Sequence, residues 1–131
     1  MRKTLLTTMI ALIATFSTTA QSNTQALIPY PNKIELCDNG KTFAINDKTS
    51  ISSSLPNDAF VIDALQCILQ KRLGADLAFS NGKQTKNVVS LEIDSAIEGR
   101  EHYMLEVNKN GVFVKGANEG ALFLALQTLD Q

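Results

Sequence analysis

The clearest alternation of hydrophobic and polar positions lies over residues 103–108, where apolar side chains recur at every second position. A period of two places these side chains on one face of a β-strand. Asn110 and Gly111 follow, and this pair is typical of tight hairpin turns that need left-handed backbone. The pattern therefore predicts an antiparallel hairpin whose second strand covers residues 112–115.

A helix is predicted from Glu119 onward, with Asn118 as its N-cap, because the Asn side chain can accept a hydrogen bond from a free helix amide. Residues 121–126 and Leu129 make this helix apolar almost all round, which is typical of a helix covered on more than one side. The hairpin supplies one cover. The sequence has no polar tail or glycine that would end the helix before Gln131, so we expect its second apolar side to lack a cover here and the helix to be part of a larger protein.

An earlier helix is predicted between residues 57 and 74. Its apolar residues follow the helical spacing of one buried stripe, Asn57 or Asp58 can cap its start, and Gly74 can take the left-handed position that ends it. The stripe consists of Val61, Ala64, Leu65, Ile68 and Leu69.

Short apolar stretches elsewhere predict strands, of which residues 33–36 and 41–45 form a hairpin around the turn signal at 38–40. The other stretches cover residues 49–53, 77–79 and 87–93. The order of strands, helix, strands, helix predicts an α/β fold, an α+β two-layer sandwich. We expect a mixed, mostly antiparallel sheet with two helices packed on one face.

Residues 1–20 have the pattern of a secretory signal peptide. Arg2 and Lys3 precede an apolar run over residues 5–16, and small residues follow as far as Ala20. The apolar run is shorter than the ~20 residues that span a bilayer, which argues against a membrane anchor. We therefore expect cleavage after Ala20, a periplasmic or secreted product, and a single accessory domain over residues 21–131.

Charge and cysteine content narrow the possible partners. The chain has 12 basic and 13 acidic residues, and removing Arg2 and Lys3 leaves a net charge of about −3. This charge disfavours nucleic acid and anionic membranes, which bind concentrated positive charge. Cys37 and Cys67 could form a disulfide in an oxidising compartment, but their spacing in the sequence does not show whether they pair. The position of Cys67 on the flank of a helix favours a role as a small buried hydrophobic residue.

No residue pattern points to catalysis, ligand binding, a metal or a cofactor. His102 is the single histidine, which excludes a cluster of imidazoles and favours a surface role at the start of a strand. The closest carboxylate pairs have structural explanations, and the glycines of residues 116–120 lack a phosphate-binding pattern. These pairs are Asp58 with Asp63 and Glu98 with Glu101.

Several stretches together resemble the N-terminal domain of glycoside hydrolase family 20. They are Ile-Pro-Tyr-Pro at residues 28–31, the strands at 40–45, 103–107 and 111–114, and Gly-Ala-Leu-Phe-Leu-Ala-Leu-Gln-Thr-Leu at 120–129. The resemblance spans nearly all of residues 21–131, with a mild departure at Ala125, where the family often has glycine.

The resemblance implies a non-catalytic domain of an exo-β-N-acetylhexosaminidase. In that family a (β/α)8 barrel follows this domain, and its Asp-Glu pair works with the 2-acetamido group of the substrate. We therefore expect a fragment of a secreted glycoside hydrolase that lacks the catalytic barrel and is inactive by itself. The barrel is the expected partner, and direct carbohydrate binding by this domain stays open.

Two alternatives remain from the sequence. The chain can be a free-standing secreted binding or inhibitor module, or the accessory domain of another glycosidase, an α-glucuronidase or an O-linked N-acetylglucosamine hydrolase. The Ile-Pro-Tyr-Pro segment at residues 28–31 favours family 20.

Overall fold

A computed structural model describes residues 27, 28, 30–35, 42–80 and 82–131. The helices and strands, in chain order, are β1 (Ser50–Ser53), α1 (Phe60–Leu73), β2 (Ala78–Phe79), β3 (Val88–Ile93), β4 (Tyr103–Asn108), β5 (Gly111–Gly116) and α2 (Glu119–Leu129). The strands form one sheet in the order β2-β1-β3-β5-β4. This arrangement confirms the predicted α/β sandwich with a mixed sheet and two helices.

The expected majority of antiparallel pairs is wrong. β1 pairs in parallel with both β2 and β3, β3 pairs in parallel with β5, and only the β4–β5 hairpin is antiparallel. The physical reason is the crossover through α1, which returns the chain to the starting end of β1 before β2 begins. β3 then enters between β1 and the hairpin in the same direction.

The described flanks of the predicted hairpin over residues 33–45 do not form strands. Residues 33–35 and 42–46 have no strand structure, and the turn at 38–40 lies outside the described residues. Phe43 and Ile45 are partly buried and pack against the core through their side chains. The alternation of apolar residues over 42–46 therefore arises because these side chains contact the core, although their backbone does not pair with the sheet.

Helix α1 matches the prediction at its end more closely than at its start. Ala59 is the N-cap and has no side-chain cap bond, so the expected cap by Asn57 or Asp58 is wrong. Gly74 has φ 70° and donates its N–H to the carbonyl oxygen of Gln70, which confirms the predicted left-handed end. Cys67 is exposed on α1 rather than buried, and Cys37 lies outside the described residues, so their disulfide stays untested.

The second apolar side of α2 is covered by α1, so the expectation that it lacks a cover within this chain is wrong. Leu122, Ala125 and Leu126 are fully buried. On the α1 side, the ring of Phe123 lies 5.6 Å from the ring of Phe60 between centroids. The two helices lie side by side on the sheet, and each helix packs against apolar side chains of the other.

One core lies between the sheet and the helix layer. The sheet contributes Ile51, Val89, Leu91, Val112 and Val114; α1 contributes Val61, Ile62, Leu65 and Leu69; and α2 contributes Leu122, Ala125 and Leu126. Ile93, at the last position of β3, lies at the margin of this core and is 39% exposed.

The hairpin turn differs from the predicted one in its backbone. Asn87 is the one non-glycine residue with positive φ among the described residues, so the expected left-handed conformation of Asn110 is wrong. Gly111 is required for a different reason. A Cβ atom at Gly111 would overlap the carbonyl oxygen of Val88 on the neighbouring strand. The glycine therefore allows β5 to lie against β3 at the start of their pairing.

Candidate functional site

A surface depression of about 790 Å³ lies beside the first turn of α2. Its lining residues come from the loop before β4 and from α2, namely Arg100, Glu101, His102, Asn118, Gly120 and Leu124. Since β4 begins at the end of the sheet where β5 finishes, the topology alone brings the loop and the helix start together.

Asn118 holds the two walls of this depression together. Its side-chain oxygen accepts the N–H of Ala121 at 3.0 Å, which confirms it as the N-cap, and its side-chain nitrogen donates to the carbonyl oxygen of Arg100 at 2.7 Å. The N–H of Ala117 also donates to the carbonyl oxygen of His102 at 3.2 Å. The side chain of Asn118 thus caps the helix and also holds the loop before β4.

The chemistry of this depression is limited. It contains one imidazole, one carboxylate and one guanidinium, and its lining has no hydroxyl or thiol that could serve as a nucleophile. Arg100, Glu101 and His102 are all exposed, so water screens their charges. The depression brings His102 and Glu101 to one place, but it offers no nucleophile for an imidazole to activate.

The other candidates from the sequence are dispersed on the surface. Asp58, Asp63 and Glu98 are exposed, and Asp63 lies in the first turn of α1. Among the described residues, no group of three His, Cys, Asp or Glu side chains is arranged to hold a metal ion. The absence of catalytic residues therefore stays a prediction from the sequence.

A second, smaller crevice of about 250 Å³ lies at the carboxyl ends of β1 and β3. Its lining includes several serine residues, Asn57 and Phe79, and the charged pair Lys83 and Glu92. Sequence reasoning missed this crevice because its residues come from separate segments and none belongs to a recognisable motif. The serine run at residues 52–54 is the one local signal that could have pointed to it.

The far ends of the two helices are joined by an ion-pair cluster around Asp130. Its carboxylate accepts from Arg72 Nε at 2.8 Å and from Lys71 Nζ at 3.2 Å, and Arg72 also donates to the Asp130 carbonyl oxygen. The hydrogen bond from Arg72, and then that from Lys71, lowers the pKa of Asp130 below its usual value. The cluster fixes the helix layer rather than forming a reactive site.

No described helix combines the length and the apolar character that a membrane span requires. The predicted signal peptide at residues 1–20 lies outside the described part of the chain.

Comparison with known families identifies the domain. The family model for glycosyl hydrolase family 20, domain 2, matches residues 24–131. The chain belongs to glycosyl hydrolase family 20. This match confirms the resemblance to the non-catalytic N-terminal domain. A search of curated proteins gives no match to this family 20 chain.

Membership in family 20 is consistent with the limited reactive chemistry at the depression described above. Domain 2 is one part of a hexosaminidase-like glycoside hydrolase, and it implies association with a catalytic domain in the parent enzyme. The family 20 match also favours this family over the other glycosidase parents considered from the sequence.

Proposed function

We infer that the chain is the non-catalytic accessory domain of a secreted β-N-acetylhexosaminidase. The parent enzyme removes terminal non-reducing N-acetylhexosamine from β-glycosides. The observation that carries this proposal is the match of family 20 domain 2 to residues 24–131. The signal-peptide pattern of residues 1–20 supports secretion.

The proposed partner is a (β/α)8 barrel with an Asp-Glu pair, joined to this domain in the parent enzyme. In family 20 the substrate's 2-acetamido group acts as the nucleophile, so the barrel needs no second nucleophilic carboxylate. Sequencing the genomic DNA beyond the codon for Gln131 tests this partner. One of the reading frames is expected to encode barrel strands and an Asp-Glu pair. Unrelated coding sequence in every frame would overturn the proposal.

Activity measurements test the non-catalytic role directly. The purified chain, incubated with a chromogenic N-acetyl-β-glucosaminide, is expected to release chromophore at the rate of buffer alone. Clear turnover that a fresh preparation reproduces would contradict the assignment of catalysis to a separate domain.

Secretion has its own test. A bacterial host that expresses residues 1–131 is expected to export a product whose N-terminus is Gln21, as read by mass spectrometry. A cytoplasmic product that retains Met1 would contradict the proposed localisation.

A free-standing secreted binding or inhibitor module is the second candidate. The observation that favours it is the cover of α2 by α1 and the sheet of the same chain. Such a module is expected to be monomeric by size-exclusion chromatography, with slow hydrogen exchange over residues 121–129. Aggregation with rapid exchange in α2 would instead favour a domain that needs its catalytic partner.

A further inference from the structure

The side chain of Gln131 attaches an early segment of the chain to the end of α2. This segment, residues 27, 28 and 30–35, forms neither helix nor strand, and we call it the strap. The side-chain oxygen of Gln131 accepts the N–H of Ile28 at 2.8 Å, and its side-chain nitrogen donates to the Ile28 carbonyl oxygen at 2.6 Å. The two residues are 103 positions apart, so these bonds join the two ends of the described chain.

The same amide group also satisfies the end of α2. The side-chain nitrogen of Gln131 donates to the carbonyl oxygen of Gln127 at 3.3 Å, and the last carbonyl groups of a helix have no partner within the helix. The preceding residue, Asp130, is bound to Arg72 of α1, which holds this end of α2 on the helix layer. One amide group therefore serves the end of the helix and the strap together.

The strap has little burial to hold it in place. Ile28 and Tyr30 are 77% and 71% exposed, and none of the strap residues belongs to the core or to the apolar side chains packed against it. Within the described part of the chain, the hydrogen bonds from the strap to other segments are the two to Gln131. The position of the strap thus depends on polar contacts.

The attached and the released strap are close in free energy. A hydrogen bond of this kind usually changes an equilibrium constant by about 2–10-fold, so the two bonds favour attachment by about 5–100-fold. The entropy lost on ordering the backbone opposes attachment. Prolines at positions 29 and 31 reduce this loss, because their φ angles are restricted in the released chain too.

We propose that Gln131 is a latch that couples release of the strap to fraying of the last turn of α2. Such a coupling is reciprocal: a pull on the strap weakens the bond to the Gln127 carbonyl oxygen, and fraying of α2 frees Ile28. The exposed side chains of Ile28 and Tyr30 then move with the released strap. Release needs no catalytic domain, so this coupling goes beyond the accessory role and is independent of it.

Hydrogen exchange of the purified ¹⁵N-labelled chain, followed by nuclear magnetic resonance, tests the latch at the backbone amide of Ile28. Gln131→Ala removes both bonds to the strap and is expected to speed exchange of this amide by at least about fivefold. Gln127→Ala is the matched control, since it changes the same residue type in the last turn of α2 but keeps the carbonyl oxygen that Gln131 binds. Exchange at Ile28 is expected to stay unchanged in this control.

A substitution in the strap tests the reciprocal effect. Ile28→Pro removes the N–H that Gln131 accepts and leaves the fold intact, because the Ile28 side chain is exposed. We expect the backbone amide of Gln131, which donates to the Thr128 carbonyl oxygen, to exchange about 2–10-fold faster in this variant.

Gln131→Glu turns the latch into a pH-dependent one. An ionised carboxylate accepts the Ile28 N–H but cannot donate to a carbonyl oxygen, whereas a protonated carboxyl group does both. Relative to the natural chain at each pH, exchange at Ile28 should be faster above the glutamate pKa of ~4.3 and approach the natural rate below it. A role of Gln131 in α2 alone would not make exchange at Ile28 depend on pH in this way.

These measurements decide the proposal in either direction. Faster exchange at Ile28 in Gln131→Ala but not in Gln127→Ala, with the reciprocal effect in Ile28→Pro and the pH dependence in Gln131→Glu, supports the latch. Three results overturn it: unchanged exchange at Ile28 in Gln131→Ala, an equal effect of Gln127→Ala, or no response of the Gln131 amide to Ile28→Pro. A Gln131→Glu ratio that does not vary with pH also overturns it. Hydrolytic activity enters none of these results, so they leave the accessory role to its own tests.

Discussion

The phenol oxygen of Tyr103 lies 2.7 Å from the hydroxyl oxygen of Thr128, and this hydrogen bond joins β4 to α2. Thr128 is only 8% exposed, and its other polar contact is a long one, 3.5 Å to the carbonyl oxygen of Leu124. The bond therefore supplies a polar connection between the hairpin and the helix that packs on it.

Loss of this bond should destabilise the domain. Tyr103→Phe and Thr128→Val are each expected to lower the free energy of unfolding by about 0.5–1.5 kcal/mol, because each leaves the other hydroxyl without its short partner. Urea unfolding of both variants and of the double variant measures the coupling. Simple additivity of the two single losses would show that the hydroxyls do not interact in solution.

Gly111→Ala should be one of the more damaging single substitutions. The new Cβ would overlap the carbonyl oxygen of Val88, a backbone atom held in the β3–β5 pairing. We expect a loss of about 2–3 kcal/mol in the free energy of unfolding. Gly82→Ala is the control, since Gly82 has φ 91° but open space around it.

Gly82→Ala should cost about 1 kcal/mol through backbone strain alone. If the two variants lose equal stability in urea unfolding, the close approach of β5 to β3 is not what requires glycine at position 111.

Asp130→Asn should change how stability depends on pH. The folded-state pKa of Asp130 is lowered, first by the hydrogen bond from Arg72 and then by that from Lys71. A group of this kind stabilises the folded state above its unfolded pKa of ~3.9 and loses this contribution as pH falls through the folded pKa. The Tm difference between the natural chain and Asp130→Asn should be largest near pH 6 and should shrink as pH falls below ~3.9.

Thermal unfolding followed by circular dichroism across this pH range measures the effect. Glu98→Gln, which alters an exposed loop carboxylate, is the control. A Tm difference for Asp130→Asn that stays constant with pH would show that the ion-pair cluster does not stabilise the fold.

Substitutions of Asn118 should distinguish the contributions of its two side-chain hydrogen bonds to stability. Asn118→Ala removes both the cap of α2 and the bond to Arg100, and we expect a loss of about 1–2 kcal/mol in the free energy of unfolding. Asn118→Ser keeps a cap oxygen and should recover about 0.5–1 kcal/mol of that loss.

Hydrogen exchange identifies the part that serine does not restore. The amides of residues 100–102 should exchange faster in both variants, since neither side chain reaches the Arg100 carbonyl oxygen. Protection of these amides equal to that of the natural chain would contradict this role of Asn118.

Local patterns predicted the elements whose shape is determined within one stretch of chain. The β4–β5 hairpin, the stripe of α1 and the cap at Asn118 all depend on contacts between residues close in sequence. By contrast, the parallel direction of β1 and β3 depends on where the chain travels between them. The alternation of apolar and polar residues within 49–53 or 87–93 does not indicate whether these strands pair in parallel or antiparallel.

The cover of α2 and the crevice were beyond prediction for the same physical reason. Phe60 contacts Phe123, and the crevice joins residues 52–57 to residues 79–92, so both features arise only after distant segments meet. A helix that is apolar all round signals a second neighbour, but the pattern cannot state that the neighbour is another helix of the same chain.

The two outer strands of the described sheet differ greatly in length, with two residues in β2 and six in β4. A two-residue strand is too short a template for a foreign polypeptide, whereas β4 presents a full strand edge. Self-association through backbone pairing would therefore involve β4. In an antiparallel contact between two copies centred on Glu106, the two exposed Glu106 carboxylates would lie opposite each other. Their repulsion would oppose aggregation.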